Sequence, residues 1–324
     1  MLEAMIRAET GDDVFGEDPT VNKLQDMCAG LSGKEASLFV TSGVLGNQLA
    51  IKSHTDPGDE VIVESESHIL NYETGAPAVI SSVQLLPVQG INGIMSLEDV
   101  EKHIRSSEYY FPRTRLICLE NTHNRAGGVI LPIDYISDIS KLARRYNILT
   151  HLDGARIFNA FVETGITLKE YASHFDSVSF CFSKGLGCPV GSILCGDREF
   201  IDKARKWRKI LGGGMRQVGI LAAAGIYALE NNITRLKQDH NKAMIFAGEL
   251  AAIERIKINQ ENAQTNIVIF SLKDTPKKDF LDEMKSRGVL LSSGSYENIR
   301  AVFHMDVTEE ETVLAIEKIR SALK

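Results

Sequence analysis

Three features of the chain predict an α/β fold built on a mainly parallel sheet. Apolar runs of strand length alternate with helix-length runs from about residue 35 to residue 200. Several of the strand-like runs end directly in polar or glycine-bearing turns, as expected where strand carboxyl ends face a ligand. After about residue 235 the alternation gives way to a shorter α+β pattern. At 324 residues the chain has room for two domains and a large buried core.

Seven strands are read in the first region: Ser37–Thr41, Glu60–Glu64, Val83–Val88, Leu116–Glu120, Ile148–Asp153, Ser177–Phe182 and Ser192–Cys195. Their near-continuous β-branched and aromatic content suits strands covered by helices on both faces. Long helices follow over about 197–250. Asn266–Leu272, Val289–Ser292 and Ile299–Phe303 read as further strands, with helices Lys278–Arg287 and Glu309–Ala322. The chain therefore divides into 1–235, an N-terminal segment plus a large domain, and 236–324, a small C-terminal domain.

Composition narrows the partners. Hydrophobic residues make up 44% and charged residues 24%, and the formal net charge is −7 with no basic run. That argues against nucleic acid or an anionic membrane as the main partner and favours small molecules. The longest apolar stretch, Gly219 to Leu229, is too short to span a bilayer and reads as a packed core helix. The first ten residues, MLEAMIRAET, place charges where a signal peptide needs an apolar region. The five cysteines lack CxxC spacing and lie in apolar runs, which points to buried reduced thiols and a cytoplasmic protein. The eight histidines are scattered, so no metal site is expected.

Two strand ends carry the chemistry. HLDGARIF places Asp153 and Arg156 after the run Ile148–Leu152, and SFCFSKGLGCPVGS places Lys184 after the run Ser177–Phe182. A carboxylate and a lysine at neighbouring strand ends suit pyridoxal 5′-phosphate (PLP). The lysine bonds the cofactor's aldehyde, and the aspartate pairs with the pyridinium nitrogen so that the ring acts as an electron sink. Taken singly, Asp153 before a glycine is a turn residue and Lys184 a solvated loop lysine. Gly185, Gly187 and Gly191, which free the backbone around the lysine, make the pair more specific.

Other residues acquire meaning only around such a pair. Ser42 and Gly43, with Val44 after them, lie where a strand passes into a helix, either a phosphate cup at a positive helix end or a plain N-cap. His68 is a structural histidine unless it stacks on the pyridine ring. The run Glu120-Asn121-Thr122-His123-Asn124 either lines the site or closes a loop. Arg156 can reach the cofactor's phenolic oxygen or form a surface ion pair. Lys209 and Arg216 flank three consecutive glycines, a backbone open to an anion or a mobile loop. Arg300, in the last strand, can take a substrate α-carboxylate in bidentate fashion or face solvent.

Together these segments resemble the threonine aldolases of the β-eliminating lyase group, which are fold type I PLP-dependent enzymes (aspartate aminotransferase-like). The matching stretches span nearly the whole chain: GDDVFGEDPTVNKL (11–24), SGVLGNQ (42–48), ESHI (66–69), ENTHN (120–124), HLDGARIFNA (151–160), SKGLGCPVGS (183–192), LGGGMRQVG (211–219) and RAVFHMDV (300–307). The resemblance implies a mainly parallel seven-stranded sheet and a smaller C-terminal α+β domain. It makes Lys184 the lysine that bonds the cofactor, Asp153 the partner of the ring nitrogen, and Arg156 a contact of the phenolic oxygen. His68 would stack on the ring, Ser42, Gly43 and Val44 would line the phosphate cup, and Arg300 would hold the substrate carboxylate. His123 and Tyr110 join the substrate side. Lys209 and Arg216 would reach the cofactor region from a neighbouring subunit of a homotetramer, a dimer of dimers.

Three departures accompany the match. A leader of the form DLRSDTVT is missing ahead of MLEAMIRAETGDD, which implies truncation or weakened activity. Val44 stands where a threonine is usual, and Tyr110 where a histidine is usual. The activity implied is retro-aldol cleavage of L-threonine or L-allo-threonine to glycine and an aldehyde. The rivals are another PLP-dependent lyase or racemase reaction, such as β-elimination, and a weakly active PLP-binding homologue. A nucleotide-binding protein is disfavoured, since neither GxGxxG after the first strand nor GxxxxGK[ST] is present.

Overall fold

The computed structural model describes residues 1–324. The large sheet comprises β1 (Ala36–Val40), β2 (Glu60–Glu64), β3 (Gln84–Val88), β6 (Thr114–Glu120), β7 (Leu149–Asp153), β8 (Ser177–Cys181) and β9 (Ser192–Gly196), with a short hairpin, β4 (Gly90–Ile91) and β5 (Ile94–Met95), after β3. Strand order is β1-β9-β8-β7-β6-β2-β3. Only β9 runs against its neighbours, β1 and β8; the other pairings are parallel. The expected seven strands are all present, with ends shifted by a residue or two.

Helices cover both faces, because every residue of β2, β8 and β9 is buried. They are α1 (Leu2–Ile6), α2 (Pro19–Ser32), α3 (Gly43–His54), α4 (His68–Asn71), α5 (Leu97–His103), α6 (Ile133–Arg145), α7 (Ile157–Thr164), α8 (Leu168–Ala172), α9 (Arg198–Ile210), α10 (Gly219–Asn231) and α11 (Leu236–Ala251). The alternation of β1 shows how the layers divide. Phe39 enters the main core with Leu24, Phe180 and Ala224, while Leu38 and Val40 pack with Leu49 of α3 and Phe200 of α9 on the other face. The apolar stretch at Gly219–Leu229 is the packed helix α10, and no helix of the chain is long and apolar enough to cross a membrane.

The C-terminal region forms a second sheet, ordered β10-β11-β13-β12, from β10 (Ile256–Ile258), β11 (Ile267–Leu272), β12 (Ser292–Ser293) and β13 (Ile299–Val302). With α12 (Lys277–Ser286) and α13 (Glu309–Ala322) it encloses its own core, in which Phe246 and Leu250 of α11 meet Phe270, Phe280 and Ile316. Two details differ from expectation. β10 is a three-residue strand too brief for a sequence signal. The run Val289-Leu290-Leu291 is not strand: Gly288 ends α12 in the left-handed region, Val289 donates to Met284, and Leu290 is 81% exposed.

The acidic segment at 11–24 serves as a structural clamp. Asp18 is fully buried and caps α2, its Oδ1 accepting from the N–H groups of Thr20 and Val21 at 3.1 and 3.0 Å. Its Oδ2 accepts from Gly219 N–H at 2.7 Å, which ties α2 to the start of α10. Asp13 pairs with the buried Arg208 at 2.6 Å, and Arg208 donates to Phe39 O at 2.7 Å. Replacing Asp18 by Ala strands three donors, and we expect a loss of about 2–4 kcal/mol. A melt of the Asp18→Ala variant checks this; a midpoint within a degree of the parent contradicts the clamp.

Candidate active site

Three polar residues stand side by side at the carboxyl edge of the sheet. Asp153 ends β7 and pairs in register with Glu120 of β6 and Ser179 of β8. Lys184 follows β8 on a loop folded back on itself. Phe182 and Ser183 donate their N–H groups to Gly191 O at 3.0 and 3.3 Å, and Gly187 donates to Lys184 O at 2.9 Å. The loop needs glycine at 191, where φ is +107° and a Cβ would lie 2.5 Å from Phe39 Cζ.

Helix α3 starts against the same edge. Ser42 is its N-cap, with Oγ accepting from Leu45 N–H at 3.1 Å. Gly43 allows the close approach, since a Cβ there would lie 2.8 Å from Cys181 Sγ at the end of β8. The first-turn N–H groups of Gly43 and Val44 are left free for an anion, and Val44 is 37% exposed.

Asp153 is 3% exposed and well supplied with donors: Ala155 N–H to Oδ1 at 3.0 Å and Asn47 Nδ2 to Oδ2 at 2.7 Å. The same Asn47 amide donates to Glu73 Oε1 at 2.8 Å. Glu73, 2% exposed, also accepts from Gln48 Nε2 at 2.5 Å and pairs with His68 Nδ1 at 3.0 Å. His68, Glu73 and Asp153 thus hold their polar atoms within 4.8 Å of one another. His68 is held by the backbone too, donating its N–H to Glu120 Oε2 at 2.6 Å. The hydrogen bond to Glu73 raises the pKa of His68; the charges of Asp153 and Glu120 add to it, and burial opposes it. Glu73, Asn47 and Gln48 were not identified from sequence as site residues. Glu73 precedes Thr74-Gly75, both at positive φ, and looks like a turn residue.

Arg156 and Lys184 line one recess with Cys181, Phe158 and Asn159. Arg300 reaches the same region from β13 of the small domain, near enough for the charge of Arg156 to act on it. Burial first, and then that neighbouring charge, pushes the Arg300 guanidinium down to about 10; burial lowers Arg156 as well. Arg300 Nε is buried without a hydrogen-bond partner, and neither arginine forms an ion pair. Arg156 feels the charges of Glu120 and Asp153, whereas no carboxylate acts on the partly desolvated Arg300, which therefore calls for an anion. Tyr72 lies beside them, its ring 5.5 Å from that of His68 and 5.5 Å from the Arg125 guanidinium.

Four expected residues lie elsewhere or are otherwise engaged. His123 is 1% exposed, with Nε2 on Glu64 at 3.0 Å and Nδ1 accepting from Ala126 N–H at 3.2 Å. The turn of the β4–β5 hairpin seals it, since a Cβ on Gly93 would lie 2.5 Å from its ring. It closes the loop after β6 and offers no free nitrogen to a substrate. Tyr110 precedes β6, next to Arg113, which pairs with Asp59 at 2.7 Å at the amino ends of the strands. Within one chain it is therefore at the opposite end of the sheet from Asp153, 64% exposed. Arg216 is bonded to Asp12, and Lys209 lines a basic surface hollow with Arg205 and Arg208; neither bonds to Lys184 or Asp153 of its own chain.

A carboxylate, an amine and two unpaired guanidiniums around one edge fit PLP. Asp153 would hold the protonated ring nitrogen, Lys184 would bond the aldehyde carbon, Arg156 would face the phenolic oxygen, and the start of α3 would take the phosphate.

The chain is similar to known proteins over nearly its whole length. Residues 1–273 match the family model described as Beta-eliminating lyase. Low specificity L-threonine aldolase of Escherichia coli (strain K12) is 44% identical over 96% of this chain and 91% of its own. A probable low-specificity L-threonine aldolase of Arabidopsis thaliana is 42% identical, covering 98% and 93%. The solved Leishmania major threonine aldolase superposes with a TM-score of 0.82 at 20% identity, covering 96% of this chain and 91% of that one.

The His68–Glu73 pair sets a pH dependence in the cofactor-free protein. Because the folded pKa lies above the ordinary value of about 6.5, the pair's contribution to stability is complete below that pH and fades as pH rises through the raised value. Glu73→Gln removes the largest cause of the shift, so the NMR titration midpoint of His68 should fall. A midpoint unchanged by the substitution contradicts the assignment.

Proposed function

The chain belongs to the beta-eliminating lyase family, and from that premise we propose that it is a PLP-dependent aldolase cleaving L-threonine and L-allo-threonine to glycine and acetaldehyde. The observation that carries this reading is the unpaired Arg300–Arg156 couple facing the edge that bears Asp153 and Lys184. An amino acid brings the missing carboxylate to Arg300, and its amino group is then directed toward Lys184.

Bound PLP supplies an aldehyde carbon for amine exchange and a protonated ring that takes up the electron pair freed at a substrate carbon. The protein does the rest. Lys184 would hold the cofactor at its aldehyde carbon, where the substrate amine is to bind. Asp153, oriented by the donors Asn47 and Ala155, would pair with the protonated ring nitrogen. Arg300 fixes the carboxylate, so that the Cα–Cβ bond is the one aligned for cleavage. A base then removes the β-hydroxyl proton, the aldehyde departs, and protonation at Cα gives glycine. His68 Nδ1 is committed to Glu73, which leaves Nε2 to act on the hydroxyl directly or through a water. The start of α3 (Ser42, Gly43, Val44) takes the phosphate with one hydroxyl fewer than a threonine at 44 would give.

We also propose a cytoplasmic homotetramer, a dimer of dimers with shared sites. Lys209 and Arg216 serve a neighbouring copy in this reading. Its support is their outward placement next to the exposed Ile210 and Phe15, 67% and 71% accessible. A division near residue 235 is favoured by the separate core of the small domain.

The test is aldehyde and glycine release by the PLP-loaded protein from L-threonine and L-allo-threonine. Equal amounts of the two products are expected; pyruvate and ammonia would mean β-elimination instead. Lys184→Ala should abolish turnover, and steady activity in it overturns the assignment. Arg300→Ala should lower kcat/KM by roughly 30- to 1,000-fold, about 2–4 kcal/mol, by removing the carboxylate's partner.

A further inference from the structure

We propose that Asn47 is the positioning residue that sets the orientation of Asp153, and that a one-directional hydrogen-bond chain from His54 through Ser177 and His151 fixes Asn47 in turn. The inference rests on the PLP reading above and concerns residues that take no part in it.

The directions of the hydrogen bonds follow from the partners. Asn47 Nδ2 lies 2.7 Å from Asp153 Oδ2 and 2.8 Å from Glu73 Oε1, both acceptors, so this side of the amide must be the NH2 group. Its Oδ1 therefore faces Ser179 Oγ at 2.9 Å and His151 Nε2 at 3.2 Å, and both must donate. With its proton on Nε2, His151 leaves Nδ1 as an acceptor, filled by Ser177 Oγ at 2.9 Å. Ser177 has then spent its proton, so at 2.7 Å it accepts from His54 Nε2. Every bond in the chain donates toward the carboxylate end.

The environment holds this pattern. His151 is fully buried, and desolvation pushes its pKa down to about 4; burial also pushes His54 well below the ordinary range. Both rings are neutral at physiological pH, so each has one tautomer. His54 is clamped by stacking on Phe200, with ring centroids 4.3 Å apart. Around Asp153 the remaining charged and titratable groups are His68 and Glu73, Arg156, Glu120, and Cys118 of β6. Among the side chains, Asn47 alone donates a hydrogen bond to Asp153. Without it the carboxylate keeps only Ala155 N–H and lies unscreened beside Glu73.

The experiment compares Asn47→Ala and the near-isosteric Asn47→Asp with the parent, reading the PLP dissociation constant from cofactor absorbance, kcat and KM, and the melting point of the PLP-free protein. Loss of an outer support of this kind costs roughly 10- to 100-fold. We expect Asn47→Ala to weaken PLP binding and lower kcat by that order, with KM for the amino acid changed less than about threefold. Asn47→Asp should be worse than Asn47→Ala, because it puts a third carboxylate where a donor is required. A merely structural role predicts the reverse order, and that result, or parental PLP affinity in both variants, overturns the proposal. If neither variant folds, Ser177→Ala frees the His151 tautomer with little change in volume; it should weaken PLP binding in the same direction, and parental affinity overturns the proposal. Failure of the parent itself to bind PLP would refute the functional reading rather than this inference.

Discussion

Two buried carboxylates share one amide, and the architecture of the site depends on how that is made tolerable. Asp153 and Glu73 are both almost fully enclosed, and two like charges this close repel strongly away from water. Burial of such a pair requires that nearly every lone pair find a donor. The donors come from three elements at once: Asn47 and Gln48 from the second turn of α3, His68 from α4, and Ala155 from the turn after β7. Their demands fix the position of α3 along the sheet edge. The same helix presents Ser42 and the free N–H groups of its first turn, so the site for an anion is set by the carboxylates one turn further on.

The opposite charge is arranged by the other domain. Arg300 comes from β13, whose strand belongs to a separate core, yet its guanidinium is held near Arg156 of the large domain. Two guanidiniums drawn close, neither in an ion pair, carry an electrostatic cost that a carboxylate would relieve. The site therefore runs from the carboxylates Asp153 and Glu73 to the guanidiniums of Arg156 and Arg300, where the small domain meets the large one. A ligand with a cationic ring nitrogen and anionic oxygens matches that arrangement along its length.

Much of this was legible in the sequence, and the gaps have physical reasons. Asp153 and Lys184 stood out because each closes an apolar strand-like run and glycines surround the lysine. The sheet strands were legible because their runs are β-branched and bounded by turns. Arg300 carried no local signal and took its role from the resemblance. Glu73 and Asn47 were invisible as site residues because a polar residue in a turn or on a helix reads as solvated. His151 sits inside a strand, where a lone histidine reads as ordinary core. His123 misled in the other direction: it lies at a strand's carboxyl end, but the chain turns it inward beneath the β4–β5 hairpin onto Glu64. Tyr110 was placed by its neighbours in a motif, while its own chain puts it at the amino end of β6.

The orphaned groups of the site are informative for the same reason. Native interiors leave few buried polar atoms unpaired, because each costs about 1–3 kcal/mol. Here Asp153 and Glu73, the groups hardest to bury, are fully supplied, whereas Arg300 Nε is not. The unmet hydrogen-bonding capacity at this edge therefore lies on the small-domain side. Binding then restores stability in proportion to occupancy, by about 2.7 kcal/mol at a ligand concentration one hundred times its dissociation constant. On the proposed reading, the cost of leaving the Arg300 Nε buried and unpaired would contribute to selectivity. On that same reading, a ligand lacking the carboxylate would leave that cost unrelieved, while an α-amino acid would relieve it and so align the bond to be broken.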